Sequence, residues 1–369
     1  MGSAVAVTDS YMAAGANAGY GLVNIYQLDN SAVWSPMYTL FGQQDGSLFG
    51  SSVAWNPANA SLSVGAPGMY ASGTVTSTGA VYVYQTDATG TVLVQWGSDV
   101  RGDSDVYAAN EQFGAAVAMS ANNVIVVGAP YSSKSNVAQR GRVYTFIYDA
   151  FIQDWVPRTV SWLLGAASGD HFGSAVDVSA DGTVLAVGAP GANEGTGFIS
   201  VYTWPTASSS SDWTLVAQLS GSSSSEAFGS SVRILSSDGR YIAAGGPNYE
   251  TTAGIIRLYE RITSGSSSGG NSTTTYQLLG TIAGSQGDFL GLPQSITGTA
   301  LPTPVLVVST ASGSQLKRIA YNPYVGALQQ TGTSVHTGFS QQPRVSVSPR
   351  TGRSVVAGGY NEVTVYAIG

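Results

Sequence analysis

The 369-residue chain has no cysteine. That excludes a disulfide framework, a thiol nucleophile and any cysteine-held metal. It has only two histidines, His171 and His336, far apart in the sequence. No Ser-His-Asp constellation with independent support can be built from them. Charge is scarce too: Asp, Glu, Lys and Arg make up 9% of residues, against about 25% in an ordinary soluble domain. With 14 Lys and Arg, no basic cluster and a net charge of −7, there is no footprint for nucleic acid. No apolar run approaches the ~20 residues that cross a bilayer, so no membrane insertion is expected. The N-terminus lacks a signal-peptide pattern. Met1-Gly2-Ser3 reads as an expression start, and the chain as part of a longer protein.

What is present is glycine, at 47 residues, and 43% hydrophobic residues in alternating runs. Alternation over short stretches argues for packed strands rather than disorder, and it leaves a neutral, hydroxyl-rich surface. Two glycosylation sequons, Asn59-Ala60-Ser61 and Asn271-Ser272-Thr273, are compatible with a secreted protein.

One phrase recurs: Phe-Gly-small-small-Val, then about a dozen residues, then Val-Gly-Ala-Pro. It reads Phe49-Gly50 with Gly65-Ala66-Pro67, Phe113-Gly114 with Gly128-Ala129-Pro130, and Phe172-Gly173 with Gly188-Ala189-Pro190. A looser copy is Phe228-Gly229 with Gly245-Gly246-Pro247. Each unit reads as four strands. In the clearest, strand one spans 173–178, a hairpin follows at Ala180-Asp181-Gly182, and strand two spans 183–187. Strand two is stopped by Gly188-Ala189-Pro190, because proline has no N–H for the ladder. Strands three and four span 197–204 and 213–219, and 155–163 is the fourth strand of the unit before it. Gly2–Val7 aligns with Gly173–Val178 as the start of a first unit, Phe289-Leu290-Gly291 opens a worn sixth, and 344–368 holds a seventh.

Seven four-stranded antiparallel units arranged radially make an all-β, seven-bladed β-propeller. The whole chain, 1–369, is one such domain, with blades at about 1–48, 49–112, 113–171, 172–227, 228–288, 289–338 and 339–369. Small residues on the innermost strands suit convergence on an axis. Tyr and Trp on the outer strands fill the widening wedges between blades. The last blade lacks a fourth strand, and residues outside this sequence are expected to supply it.

The Phe-Gly and Gly-Ala-Pro anchors resemble the FG-GAP repeat of integrin α-subunit propellers. That resemblance implies the same propeller and, in many members, calcium in Asp-rich loops between strands one and two. Here those loops are 56–60, 121–123, 180–182 and 237–239, each with at most one carboxylate. Calcium takes about six to eight oxygen ligands, usually with several carboxylates. The chain therefore reads as the variety without calcium loops, and no cofactor is expected.

Four constellations stand out. Arg101-Gly102-Asp103 is the tripeptide that integrins recognise. Asp99, Asp103 and Asp105, with Glu111 nearby, form a candidate metal cluster on the same loop. An acidic residue precedes Phe-Gly in several units (Glu111, Asp170, Glu226, Asp288), and its repetition points to turn support rather than catalysis. Finally, the loops joining strand two to three and strand four to the next blade share one face. They carry Tyr70, Tyr107, Tyr131 and Tyr249 beside Asp103, a set suited to a protein or glycan ligand.

The resulting expectation is a non-catalytic extracellular or cell-surface module for binding and adhesion, acting through that face. The alternatives are a structural module of a larger assembly and a carbohydrate-active enzyme, for which two carboxylates would suffice.

Overall fold

The computed structural model describes residues 2–70, 77–87, 92–102, 110–159, 161–205, 212–264, 273–300, 303–312, 315–337, 339, 343–347, 354–359 and 362–367. It forms seven antiparallel sheets, each from consecutive chain, with strands in sequence order from the axis outward. The seventh blade has three strands, Arg344–Val347, Ser354–Gly359 and Glu362–Ala367.

The recurring phrase has a packing reason. Phe49, Phe113, Phe172 and Phe228 are each at most 2% exposed. Each forms a parallel bridge to the previous blade, at Gly21, Gly79, Gly141 and Gly197 respectively. In the sixth blade Leu290 fills this place, bridged to Gly254 and 1% exposed, so the anchor there is the second residue of Phe289-Leu290-Gly291.

The glycine after each anchor has a positive φ, from 85° at Gly50 to 94° at Gly291. It lies against the next-to-last residue of strand two of the preceding blade, also a glycine. A Cβ on Gly15, Gly65, Gly128 or Gly188 would sit 1.9–2.1 Å from the carbonyl oxygen of Gly50, Gly114, Gly173 or Gly229. Strand two therefore does not stop before its glycine. In the fourth blade it runs Val184–Ala189, through Gly188, and stops before Pro190. A glycine in a strand here marks close backbone approach rather than a break.

The ring closes through the same joint. A Cβ on Gly358 would lie 3.0 Å from the Cα of Gly2, whose φ is 88°. Gly2 thus occupies the repeat's glycine position and is part of the first blade. The Val7 N–H donates to Ser346 Oγ at 3.2 Å, and Val5, Val7, Met12 and Ala14 pack on Val356.

Apolar clusters fill the wedges between blades. Trp213 Nε1 donates to Thr145 Oγ1 at 3.2 Å across one wedge, and Trp155 Nε1 to the Trp96 carbonyl at 2.7 Å across another. Strand four of the third blade is shorter than its sequence suggests. It splits into Asp154–Pro157 and Leu163–Leu164, both paired to strand three.

Three of the acidic residues before Phe-Gly brace turns, while the buried Glu111 carboxylate accepts from the Tyr144 hydroxyl at 3.2 Å. Asp170 accepts the N–H groups of Ala166 and Ala167 at 2.9 and 2.8 Å. Asp288 accepts that of Ser285 at 3.0 Å and pairs with Lys317 at 2.9 Å. Glu226 accepts Ser222 N–H at 2.8 Å and pairs with Arg257 at 2.5 Å, with the Glu226 side chain fully buried. Burial alone pushes the Glu226 carboxyl up, but Arg257 and the Ser222 hydrogen bonds outweigh it and hold it below the usual range. A depressed folded value stabilises above the unfolded pKa and is lost as pH falls through the folded one. We therefore expect thermal melts to show a loss of stability below about pH 4.3, the ordinary Glu value, and Glu226→Gln to shrink that acid-dependent loss.

Candidate functional site

The first strands converge on an axial cavity of about 770 Å³, within the range of small-molecule sites. It runs from Ser52, Ser174 and Ser230 at the strand starts to Pro57, Ala121, Ala180 and Ser237 in the hairpins after strand one. Those hairpins are tied to one another. The Ala121 N–H donates to the Ala180 carbonyl at 2.8 Å, and the Asp181 N–H to the Ser237 carbonyl at 3.1 Å.

The middle residue of each apolar-X-apolar first strand breaks the sevenfold symmetry. In blades one to three it is Ala6, Ala54 and Ala118. In blades four to seven it is Asp177, Arg233, Thr297 and Ser346, all lining the cavity. Three of these polar residues clasp the next blade through its backbone N–H. Asp177 Oδ2 accepts from Ile234 at 2.7 Å, Thr297 Oγ1 from Val347 at 3.0 Å, and Ser346 Oγ from Val7.

Arg233 differs. Its Nη1 lies 3.7 Å from Asp177 Oδ1, an ion-pair distance without a hydrogen bond, and its side chain is 38% exposed against 9% for Asp177. Its Nε is buried without a hydrogen-bond partner among the described residues. A guanidinium with donors to spare, facing a cavity, can take a carbonyl or oxyanion oxygen. Burial pushes the Asp177 carboxyl up. Arg233 and the N–H groups of Ile234 and Val178 pull against it without cancelling the rise. A carboxylate with a raised pKa beside a positive donor suits a general base.

The sequence-predicted residues lie elsewhere. Tyr70 is half-buried, and its N–H donates to Gln44 Oε1 at 2.8 Å. Tyr131 is 39% exposed, with its ring 5.1 Å from that of His171. Tyr249 is half-buried on the fifth blade. None of these three lines the axial cavity. Tyr107, Asp103 and Asp105 lie outside the described residues. Arg101 is tied back to Asp99 at 2.6 Å. Gly102 faces inward, where a Cβ would meet Glu111 Oε1 at 2.3 Å.

Calcium does not fit here. No group of three metal-ligating side chains occurs among the described residues. Asp181 Oδ1 already accepts Thr183 N–H at 2.9 Å and Ser179 O–H at 2.6 Å.

The sequence profile of the FG-GAP repeat matches residues 103–146. Among curated proteins, none matches this chain. Solved structures do match in fold. The periplasmic gluconolactonase of Pseudomonas aeruginosa is 19% identical, with a TM-score of 0.60, over 95% of this chain and 89% of that one. A candidate 6-phosphogluconolactonase from Bacteroides uniformis is 12% identical, with a TM-score of 0.57, over 91% and 85%. Another from Bacteroides fragilis is 12% identical, with a TM-score of 0.56, over 91% and 84%. At these identities the likeness is one of fold. The expectation of a non-catalytic adhesion module that is not an enzyme is corrected by these three neighbours: each shares the propeller fold along most of the chain, one is described as a lactonase and two as candidate lactonases, so the fold does not point to adhesion. The physical source of the error is that the repeat anchors report only blade packing. Among the described residues, no helix is long and apolar enough to cross a membrane.

Proposed function

Because this chain is an FG-GAP β-propeller, we propose that it uses its axial cavity as an active site and hydrolyses a lactone or similarly small ester. The observation that carries this reading is Arg233, whose buried Nε lacks a partner beside the buried carboxylate of Asp177. Asp177 takes a proton from a water molecule, and the water oxygen forms a bond to the carbonyl carbon. Arg233 donates to the oxygen that becomes negative. The ring C–O bond then breaks, and the departing alkoxide takes back the proton held by Asp177. The products are a hydroxy acid and the regenerated carboxylate.

The fold shared with gluconolactonases supports the reaction class. The periplasmic location of that neighbour supports placing this protein outside the cytoplasm.

The test is proton release on mixing the protein with δ-gluconolactone and with δ-valerolactone at pH 7. Hydrolysis of either well above the buffer rate is the expected result. Rates equal to buffer with both overturn the proposal.

A further inference from the structure

The axial cavity has two chemically different halves. Blades four to seven supply Asp177 and Arg233, the hydroxyls of Thr297 and Ser346, and, at the hairpin end, Asp238 and Arg240. Blades two and three supply Val53, Ala54, Ala115, Ala116 and Val117, all half-exposed. The hydroxyls on that side are occupied: Ser52 Oγ donates to the Gly114 carbonyl at 2.7 Å, and Thr8 Oγ1 to the Tyr11 carbonyl at 3.3 Å. Among the described residues there, one lining side-chain polar atom stands without a partner, the buried Nε1 of Trp55.

A sugar lactone carries hydroxyls around its ring. Each one buried against the alanine–valine wall without a partner is unfavourable. An alkyl chain on the same wall is favourable, because every buried methylene leaves water. We infer that the substrate, on the lactone-hydrolase reading above, is a lactone bearing an alkyl tail. Its ester sits between Asp177 and Arg233, and its tail lies along the first strands of the second and third blades.

The experiment compares δ-valerolactone, δ-octalactone and δ-decalactone with δ-gluconolactone as substrates. In parallel, calorimetry measures binding of the unreactive amides δ-valerolactam and 6-pentylpiperidin-2-one. KM is expected to fall by about fourfold per added methylene, and the pentyl lactam to bind tighter than the parent by a similar factor per carbon. Val117→Thr, close to valine in shape, is expected to cut the gain from the pentyl tail severalfold. Ala54→Ser serves the same purpose if Val117→Thr melts early. Hydrolysis of δ-gluconolactone with no gain from a tail overturns this inference and leaves lactone hydrolysis standing. Tail-dependent lactam binding without hydrolysis of any lactone overturns the catalytic reading and leaves the apolar wall as a ligand surface. No hydrolysis and no tail-dependent binding overturns both.

Discussion

On the lactone-hydrolase proposal, replacing Arg233 with methionine is expected to lower kcat/KM by roughly a hundredfold or more, with circular dichroism checking that the propeller stays folded. Methionine keeps most of the aliphatic stem but removes the donors next to the developing oxyanion. Loss of one such donor typically slows acyl transfer by about 10²–10³. The variant also loses the 3.7 Å ion pair with the buried Asp177, so some loss of melting temperature accompanies the loss of rate. Asp177→Asn slows the reaction by a similar or larger factor, about 10²–10⁴ for loss of a general base. The asparagine oxygen still accepts the Ile234 N–H, so the clasp to the fifth blade survives. The pH profile separates the two residues. Burial raises the Asp177 carboxyl, so wild-type activity falls with acidification at a pH above the ordinary Asp value of about 3.9. That acid limb vanishes from the residual activity of Asp177→Asn. Unchanged rates in both variants remove the axial pair from the chemistry.

The second large effect is on folding. Gly188→Ala destabilises by about 3 kcal/mol or more, read from the urea midpoint with an unchanged slope. The new Cβ lies 1.9 Å from the Gly229 carbonyl oxygen and 2.9 Å from its carbon, so two backbones from different blades must separate. Gly188 has no positive φ, so the effect is one of contact. Gly326→Ala is the control. Its Cβ meets nothing within 4 Å, and its φ of 69° is the sole penalty, about 1–2 kcal/mol. Equal losses at both positions contradict the account of the joint.

The contrast between these two sites shows what a sequence of this kind makes legible. The Phe-Gly and Gly-Ala-Pro anchors recur because every blade needs the same wedge filler and the same bare backbone. Repetition therefore gave seven blades, their strand order and the missing outer strand of the last. It was weaker where a blade substitutes its own solution. Leu290 replaces the anchor phenylalanine, and the fourth strand of the third blade breaks after Pro157.

The candidate site was obscured for the opposite reason. A site needs residues that differ from blade to blade, and repeat matching discards differences. Asp177 and Arg233 stand where Ala6, Ala54 and Ala118 stand in other first strands. For Asp177 that departure is readable in the alignment of Gly2–Val7 with Gly173–Val178, where it stands opposite Ala6. The loop tyrosines drew attention by composition, but composition does not say which loops converge. Ring geometry places Tyr70, Tyr131 and Tyr249 on blades two, three and five, away from the axis.

The clasp between Val7 and Ser346 also has a kinetic meaning. Each blade is cut from consecutive chain, so during synthesis each one can settle on its predecessor as it leaves the ribosome. The joint between the first blade and the last spans 339 positions, and it must wait for the whole chain. Until then Val5, Val7, Met12 and Ala14 have no seventh blade to cover them. The nascent propeller carries an adhesive apolar flank from its first blade onward, and completion of the circle is the event that hides it.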